Sequence, residues 1–195
     1  MNTLENWFCS SRAWRYVTQQ KLLPWLLADS HLGDHVLELG AGPGAATSEL
    51  RRRAPRVTSL EYSHGLAVVL AHRISNASTS IVNASTSIVQ GDAALLPFAG
   101  STFSSTVAVL VLHHLRSSER QDRAFAEIHR VLRPGGQLFA FEIQDGWLNR
   151  VLHTNSTFVP LGLEALNGRL TRAGFAEITV ALRGGAFRFR ASRKN

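Results

Sequence analysis

Cysteine is nearly missing from this chain of 195 residues: Cys9 stands alone. A single cysteine excludes an internal disulfide and a metal site built from cysteines, and it fits a reducing, cytoplasmic setting. Long apolar runs are missing too, and none approaches the roughly 20 residues needed to span a bilayer. The first residues carry Glu5, polar side chains and Trp7 in place of a basic start and an apolar core, so no signal peptide is expected. Acids are in deficit, 14 Asp and Glu against 21 Lys and Arg, and the net charge of +7 comes almost wholly from arginine. Such a surplus favours anionic partners, whether substrates, lipid surfaces or nucleic acid. The arginines are scattered more than clustered, however, which is the pattern of a solvated surface. Hydrophobic residues at 45% and charged residues at 18% are ordinary for a globular chain with one core. A single domain over 1–195 is expected.

What is present is organised around Val36-Leu37-Glu38-Leu39-Gly40-Ala41-Gly42-Pro43-Gly44. An apolar run ends in a glycine-rich turn, and good helix formers follow from Ala45 to Leu50. Strand, glycine turn and helix together present backbone N–H groups and a helix start to a ligand. Glycine permits φ > 0 and removes the Cβ that would hold a ligand off the main chain. Gly40, Gly42 and Ala45 also satisfy the dinucleotide pattern G-x-G-x-x-G/A, so a nicotinamide cofactor competes at this point.

Along the chain, Ala13 to Leu27 reads as helical, with Pro24 as a break or a new first turn. It is expected to cap the sheet edge or to close over a site as a lid. Asp34 to Leu39 is the first strand, apolar enough to be buried on both faces. A helix to Arg53 follows, then a strand over Arg56 to Tyr62 and a helix over His64 to Ile74. Asn76 to Val82 is then repeated identically as Asn83 to Val89. Ser, Thr and Asn form helices poorly and the Ile-Val pair favours a strand, so Thr86 to Gln90 is read as the third strand. The first copy is an insertion before it or a competing register. Ser105 to Leu112 is the fourth strand, running into His113-His114. A helix capped by Ser117 or Ser118 reaches about Leu132 and stops at Pro134-Gly135-Gly136. Gln137 to Ile143 is the fifth strand. A linker to Pro160, a helix over Leu161 to Ala173 and a hairpin turning at Gly184-Gly185 complete the chain. Strands alternating with helices imply an α/β doubly wound sheet with an antiparallel edge.

The order of these motifs resembles that of the class I S-adenosylmethionine (SAM)-dependent methyltransferases, in the methyltransferase type 11 group that includes ubiquinone and menaquinone biosynthesis enzymes. Glu38 to Gly44 looks like the family's first motif, and Glu61 sits at the end of the second strand. Gly91-Asp92-Ala93 with Leu96-Pro97-Phe98 resembles the segment around the adenine. Val111 to Leu115 and Val131 to Gly136 resemble the motifs of the fourth strand and of the approach to the fifth. The match runs from about residue 34 to 143, and the closing hairpin extends it to 192. The NAD reading explains neither Gly91-Asp92-Ala93 nor Leu132 to Gly136.

The resemblance implies a Rossmann-like seven-stranded sheet, order 3-2-1-4-5-7-6 with strand 7 antiparallel. It implies a core over 34–193 below an N-terminal cap or lid over 1–30. It also implies SAM as cofactor, with S-adenosylhomocysteine as product. The implied cofactor residues are Glu38, Gly40, Ala41, Gly42, Gly44, Glu61, Tyr62, Asp92, Ala93 and Leu110. Backbone N–H groups of Gly40 to Gly44 would meet the methionine part. Glu38 would orient that loop or reach the ammonium through water. Glu61 would take the ribose hydroxyls, Tyr62 would pack on adenine, and Asp92 with the Ala93 N–H would read its edge. The family often has an Asp between Leu96-Pro97-Phe98 and the fourth strand. Here Gly100, Ser104 and Ser105 occupy that region, and since such acids commonly brace loops, the departure bears on local stability more than on chemistry.

Methyl transfer is an in-line displacement, so much of it is positioning, and a base is needed only for a protonated nucleophile. Candidate bases are His113 and His114 first, then His153, Asp145 and Glu142, and no metal is expected. No Asn-Pro-Pro-Tyr motif is present, so nucleic acid is not expected as a partner. Short cap and linker segments leave an open site, which suits a large or surface-bound acceptor or completion of the pocket by a second copy in a homodimer. Trp7, Phe8, Trp14, Trp25 and Trp147 are expected to form an aromatic wall. The acceptor is expected to be a small molecule, with a phospholipid or quinone-lipid at a membrane surface as the first alternative. A SAM-binding protein without catalysis is the second.

Overall fold

A computed structural model describes residues 10–28, 30–76, 85–154 and 156–195 of the chain. Helix α1 (Arg12–Val17) is capped by Ser11, whose Oγ accepts the Trp14 N–H. It passes through a π-helical turn over Thr18–Leu22 into α2 (Leu23–Leu27). Pro24 lies in the first turn of α2, directly after the π-helical turn, which ends with the Leu23 N–H on the Thr18 carbonyl. Then follow β1 (His35–Leu39), α3 (Thr47–Arg53), β2 (Arg56–Glu61), α4 (His64–Asn76), β3 (Ser85–Gln90) and β4 (Phe103–Val109). A 3₁₀ turn over Leu112–His114 leads to α5 (Ser118–Val131), β5 (Leu132–Ile143), α6 (Trp147–Leu152), α7 (Leu163–Arg172), β6 (Phe175–Arg183) and β7 (Ala186–Arg193).

The strands form one sheet in the order β3-β2-β1-β4-β5-β7-β6, with β7 antiparallel to both its neighbours. This is the expected fold class and strand order. Side chains alternate along each strand, so each central strand feeds two cores. Val36, Val57, Val107 and Phe139 point to one face, where Leu23, Leu26 and Leu27 of α2 and Leu50 of α3 cover them. Leu37, Leu60, Ala108, Leu138 and Ala140 point to the other, where Phe125 and Ile128 of α5 and Leu166 and Leu170 of α7 pack. The β6–β7 hairpin turns at Gly184 and Gly185, both with φ > 0 (56° and 79°), as a two-residue turn matching the strand twist requires.

Several boundaries differ from expectation. The fourth strand ends at Val109, three residues early, because Leu110 adopts φ 53° and turns the chain out of the sheet. The fifth strand begins at Leu132, directly after α5, so Pro134-Gly135-Gly136 lies within it. Leu132 is already extended, Pro134 pushes the residue before it the same way, and the pairing with β4 is irregular between Phe103 and Ser105. The linker after β5 contains α6. In the repeat, the second copy supplies the strand through Ser85–Gln90, and the rest, residues 77–84, lies outside the described residues.

The N-terminal segment packs as core. Arg190 donates to the Leu26 carbonyl through Nη2 at 2.7 Å, and Arg188 donates to the Trp25 carbonyl. Both reach carbonyls in the last turn of α2, where a helix runs out of its own N–H donors. The Arg188 guanidinium also lies 5.1 Å from the centre of the Trp25 ring, which meets Phe141 edge-on. The expected aromatic wall does not assemble among the described residues: Trp14 packs against the core, Trp25 is held as above, and Trp147 is 77% exposed. Trp7 and Phe8 lie outside the described residues.

Candidate active site

In an open sheet, ligands bind beyond the carboxyl ends of the strands where the chain order reverses. Here that point lies at β1, with β2 on one side and β4 on the other. A cavity of about 510 Å³ opens there, within the roughly 300–1,000 Å³ usual for small-molecule sites. Of the expected cofactor residues, Gly40, Gly42, Glu61, Tyr62, Asp92, Ala93 and Leu110 border it, together with His114 of the expected bases. Glu38, Ala41, Gly44 and His113 do not border it.

The glycine loop is built differently from expectation. Its N–H groups bond within the protein: Gly40 and Ala41 donate to the Leu60 carbonyl at 2.9 and 3.2 Å, and Gly44 to the Ala41 carbonyl. The Gly42 N–H donates to Glu61 Oε2 at 2.8 Å. The loop therefore offers the cavity close main-chain approach more than ready donors. A Cβ at Gly42 would meet no atom within 4 Å, so the backbone borders open space there. At Gly40, with φ 62°, a Cβ would lie 2.3 Å from a Val111 methyl group, so β1 and the turn after β4 pack directly. Arg73 of α4 clamps the loop from outside, Nη1 donating to the Pro43 carbonyl at 2.5 Å.

Glu38 is buried beneath the loop. Its Oε2 accepts from Thr47 Oγ1 at 2.7 Å and from Ser59 Oγ at 2.6 Å, which ties β1 to α3 and β2. Burial pushes its carboxyl up to about 7. Of its two expected roles, the geometry is that of the loop brace. Glu61 is also buried; its second oxygen accepts the Ser63 N–H at 2.8 Å, so the carboxylate bridges the glycine loop and the start of α4. Tyr62 is 69% exposed at the cavity mouth. Asp92 accepts the Ala94 N–H through Oδ1 at 2.9 Å and pairs through Oδ2 with Arg120 of α5. Arg120 and Arg116 border the cavity and give it cationic groups that the sequence reading did not single out.

The expected bases separate. Asp145 is exposed and paired with Arg150 through two bonds of 2.7 Å, which hold its carboxyl below the usual range. His113 is buried, with Nδ1 2.5 Å from Glu142 Oε2. Glu142 Oε1 also accepts the Val111 and Leu112 N–H groups at 3.1 and 2.8 Å, pinning the turn after β4. His114 Nδ1 lies 3.0 Å from the Thr157 carbonyl. A carbonyl only accepts, so this nitrogen carries the proton and a neutral ring keeps its lone pair on Nε2. His153, at the end of α6, likewise donates from Nδ1 to the Asn149 carbonyl at 2.7 Å and stacks on Phe158. The three rings pack together, His113 lying 4.2 Å from His114 and 5.1 Å from His153 between centres.

Comparison with known proteins agrees with this architecture. Residues 37–140 match the family described as methyltransferase domain. The demethylmenaquinone methyltransferase of Thermobifida fusca is 37% identical over 131 residues, 67% of this chain and 50% of that protein. The enzyme of that name from Corynebacterium kroppenstedtii is 31% identical over 129 residues, 66% of this chain and 48% of that protein. This chain thus spans about half the length of the curated relatives it matches. In fold it is similar to the PH0226 protein from Pyrococcus horikoshii OT3, with a TM-score of 0.77 at 17% identity, covering 95% of this chain and 94% of that one. No helix among the described residues is long and apolar enough to cross a membrane. With its family segment, sheet order and relatives in agreement, this chain belongs to the class I SAM-dependent methyltransferases, in the methyltransferase type 11 group.

Proposed function

We propose that this chain transfers a methyl group from SAM to a small-molecule acceptor, and that a demethylmenaquinone-like ring compound is the first acceptor to test. The observation that carries the reading is the meeting of Gly40, Gly42, Glu61, Asp92 and Leu110 around one cavity. The relatives' names supply the acceptor class. When bound, SAM supplies a methyl group on a positively charged sulfur, which is a good leaving group. The chain's part is binding and orientation. Glu61 accepts the ribose hydroxyls and can release the Gly42 N–H as it does so. Tyr62 and Ala93 flank the adenine, and Asp92, held by Arg120, faces its amino edge. Glu38, Ala41 and Gly44 act from behind, keeping the loop in place. His114 borders the same cavity and is the base of this reading, through Nε2, where the acceptor needs one. His113, bound to Glu142, holds the turn that carries it.

The test is calorimetric titration of the full chain with SAM, wild type against Glu61→Gln, followed by transfer of labelled methyl to a demethylated naphthoquinol kept in its reduced form. Wild type is expected to bind. The variant is expected to lose roughly 5- to 150-fold in affinity, the equivalent of about 1–3 kcal/mol for a lost buried polar partner. Equal binding by the variant, or no binding of SAM by wild type, overturns the assignment. A parallel NADH titration tests the dinucleotide reading. Tight SAM binding with no transfer to an acceptor panel would favour a binding protein without catalysis.

A further inference from the structure

His113, His114 and His153 each offer a ring nitrogen, and the three nitrogens lie within 4.8 Å of one another. They come from two elements, the 3₁₀ turn after β4 and the end of α6. We propose that these three histidines form a site for one divalent transition-metal ion of the zinc class, beside the cavity.

Imidazole is the commonest protein ligand for such ions, and three protein ligands with a fourth position left for another group is the pattern of reactive rather than structural zinc sites. The surroundings agree. A metal-bound histidine donates its other ring N–H to a carboxylate or a backbone carbonyl, which fixes tautomer and orientation. Here Nδ1 of His113 faces the Glu142 carboxylate, that of His114 the Thr157 carbonyl, and that of His153 the Asn149 carbonyl. All three rings therefore share one bonding pattern. None of the three ligands is an oxygen, which disfavours magnesium and calcium.

A tetrahedral ion bound at about 2.0–2.1 Å needs its nitrogens roughly 3.4 Å apart. The present spread is at most 4.8 Å. The 3₁₀ turn is pinned by Glu142 and His153 is half-buried at a helix end, so closure falls to His153. His114 and Thr157 border the cavity, so a fourth ligand can arrive from that side. In the proposed transfer, that ligand is an oxygen of the acceptor; with the ion bound, the Nε2 lone pair of His114 is taken up in coordination, and the ion, by polarising that oxygen beside the methyl group, takes over the part given to His114 as base. This last point rests on the proposed function; the metal site itself does not.

The test uses the full chain without a histidine tag, stripped with chelator and titrated with Co²⁺ in the absence of SAM. Four-coordinate Co²⁺ is expected to give intense visible bands that saturate at one equivalent and are displaced by Zn²⁺. Folded His114→Gln and His153→Gln variants should each lose the bands. His153→Cys should keep them and add a thiolate-to-cobalt band, which covers the case in which the glutamine variants fail to fold. Absence of four-coordinate bands in wild type, or bands that persist in folded His153→Gln, would overturn the site. Cobalt bands in a protein that binds no SAM would leave the metal site standing and remove the transfer reading.

Discussion

Single residues here act through partners far along the chain. Glu38 is the clearest: Thr47 stands nine positions on and Ser59 twenty-one, and both hydroxyls donate to one carboxylate oxygen. Burial raises this group from an ordinary value of 4.5 to about 7. The sign follows from proton counts. Between those values the unfolded chain has lost the proton and the folded chain keeps it, so stability falls as pH rises through the window and levels off above it. A shift of that size corresponds to roughly 3 kcal/mol. Glu38→Gln keeps an acceptor for the two hydroxyls without the charge. Its stability relative to wild type is expected to grow between about pH 5 and about pH 8, as read from urea unfolding. An unchanged difference across that range would mean that Glu38 is ionised when folded. The carboxylate at position 38 is legible in the sequence as part of the glycine motif. Its protonation is not, because it depends on how completely β1, β2 and α3 exclude water.

At the scale of elements, the loop between β3 and β4 shows how one stretch is held by another. The sequence lacks the acid that the family often places there, which put local stability in question. Helix α5 supplies the brace instead. Glu127 Oε2 accepts the Leu96 N–H at 2.8 Å, and Arg130 donates to the Phe98 and Leu96 carbonyls at 2.8 and 3.1 Å. The two side chains also pair with each other, which lowers the Glu127 carboxyl and raises Arg130. Glu127→Ala is expected to cost about 1–2 kcal/mol and to speed amide exchange at Leu96 more than in the central strands. Exchange unchanged at Leu96 would show that Arg130 suffices. The α1–α2 segment follows the same logic, since Arg188 and Arg190 of β7 bond its last carbonyls. Apolar spacing marked both helices. Which polar residue reaches across to them is decided by sheet register, which composition does not encode.

For the molecule as a whole, the order of strands creates the site. β1 lies between β2 and β4, so the helices that follow β1 and β4 go to opposite faces of the sheet and leave the cavity beyond the strand ends. At the opposite end, Asp34 ties three strands together, accepting from Arg56 at the start of β2 at 2.5 Å and from Arg133 in β5 at 2.6 Å. Arg133 and then Arg56 hold its carboxyl down to about 2. Here the sign is opposite to that of Glu38. The stabilisation is present above the ordinary value of 3.8 and is lost as pH falls through about 2. These side chains are about half exposed, so solvent screens them and Asp34→Asn should cost below about 1 kcal/mol at neutral pH. That cost should shrink in high salt, as thermal unfolding at two ionic strengths would show. A cost independent of salt would point to lost hydrogen bonding alone.

Sequence by itself determined the local and periodic features. Strand alternation, the glycine turn after β1, the two-glycine hairpin and the placing of acids at the ends of β2 and β3 are each set by neighbours a few positions apart, so pattern and turn chemistry suffice. From these came the doubly wound fold class, while the strand order and most of the residues around the cavity followed from the resemblance of the ordered motifs to the methyltransferase family. Only tertiary structure decided which donors are engaged and which side chains meet. The glycine-loop N–H groups bond to Leu60, Glu61 and Ala41, Asp92 pairs with Arg120, and His153 joins His113 and His114. Each of these depends on the angle at which separate elements pack, and that angle is a property of the whole core rather than of any stretch within it.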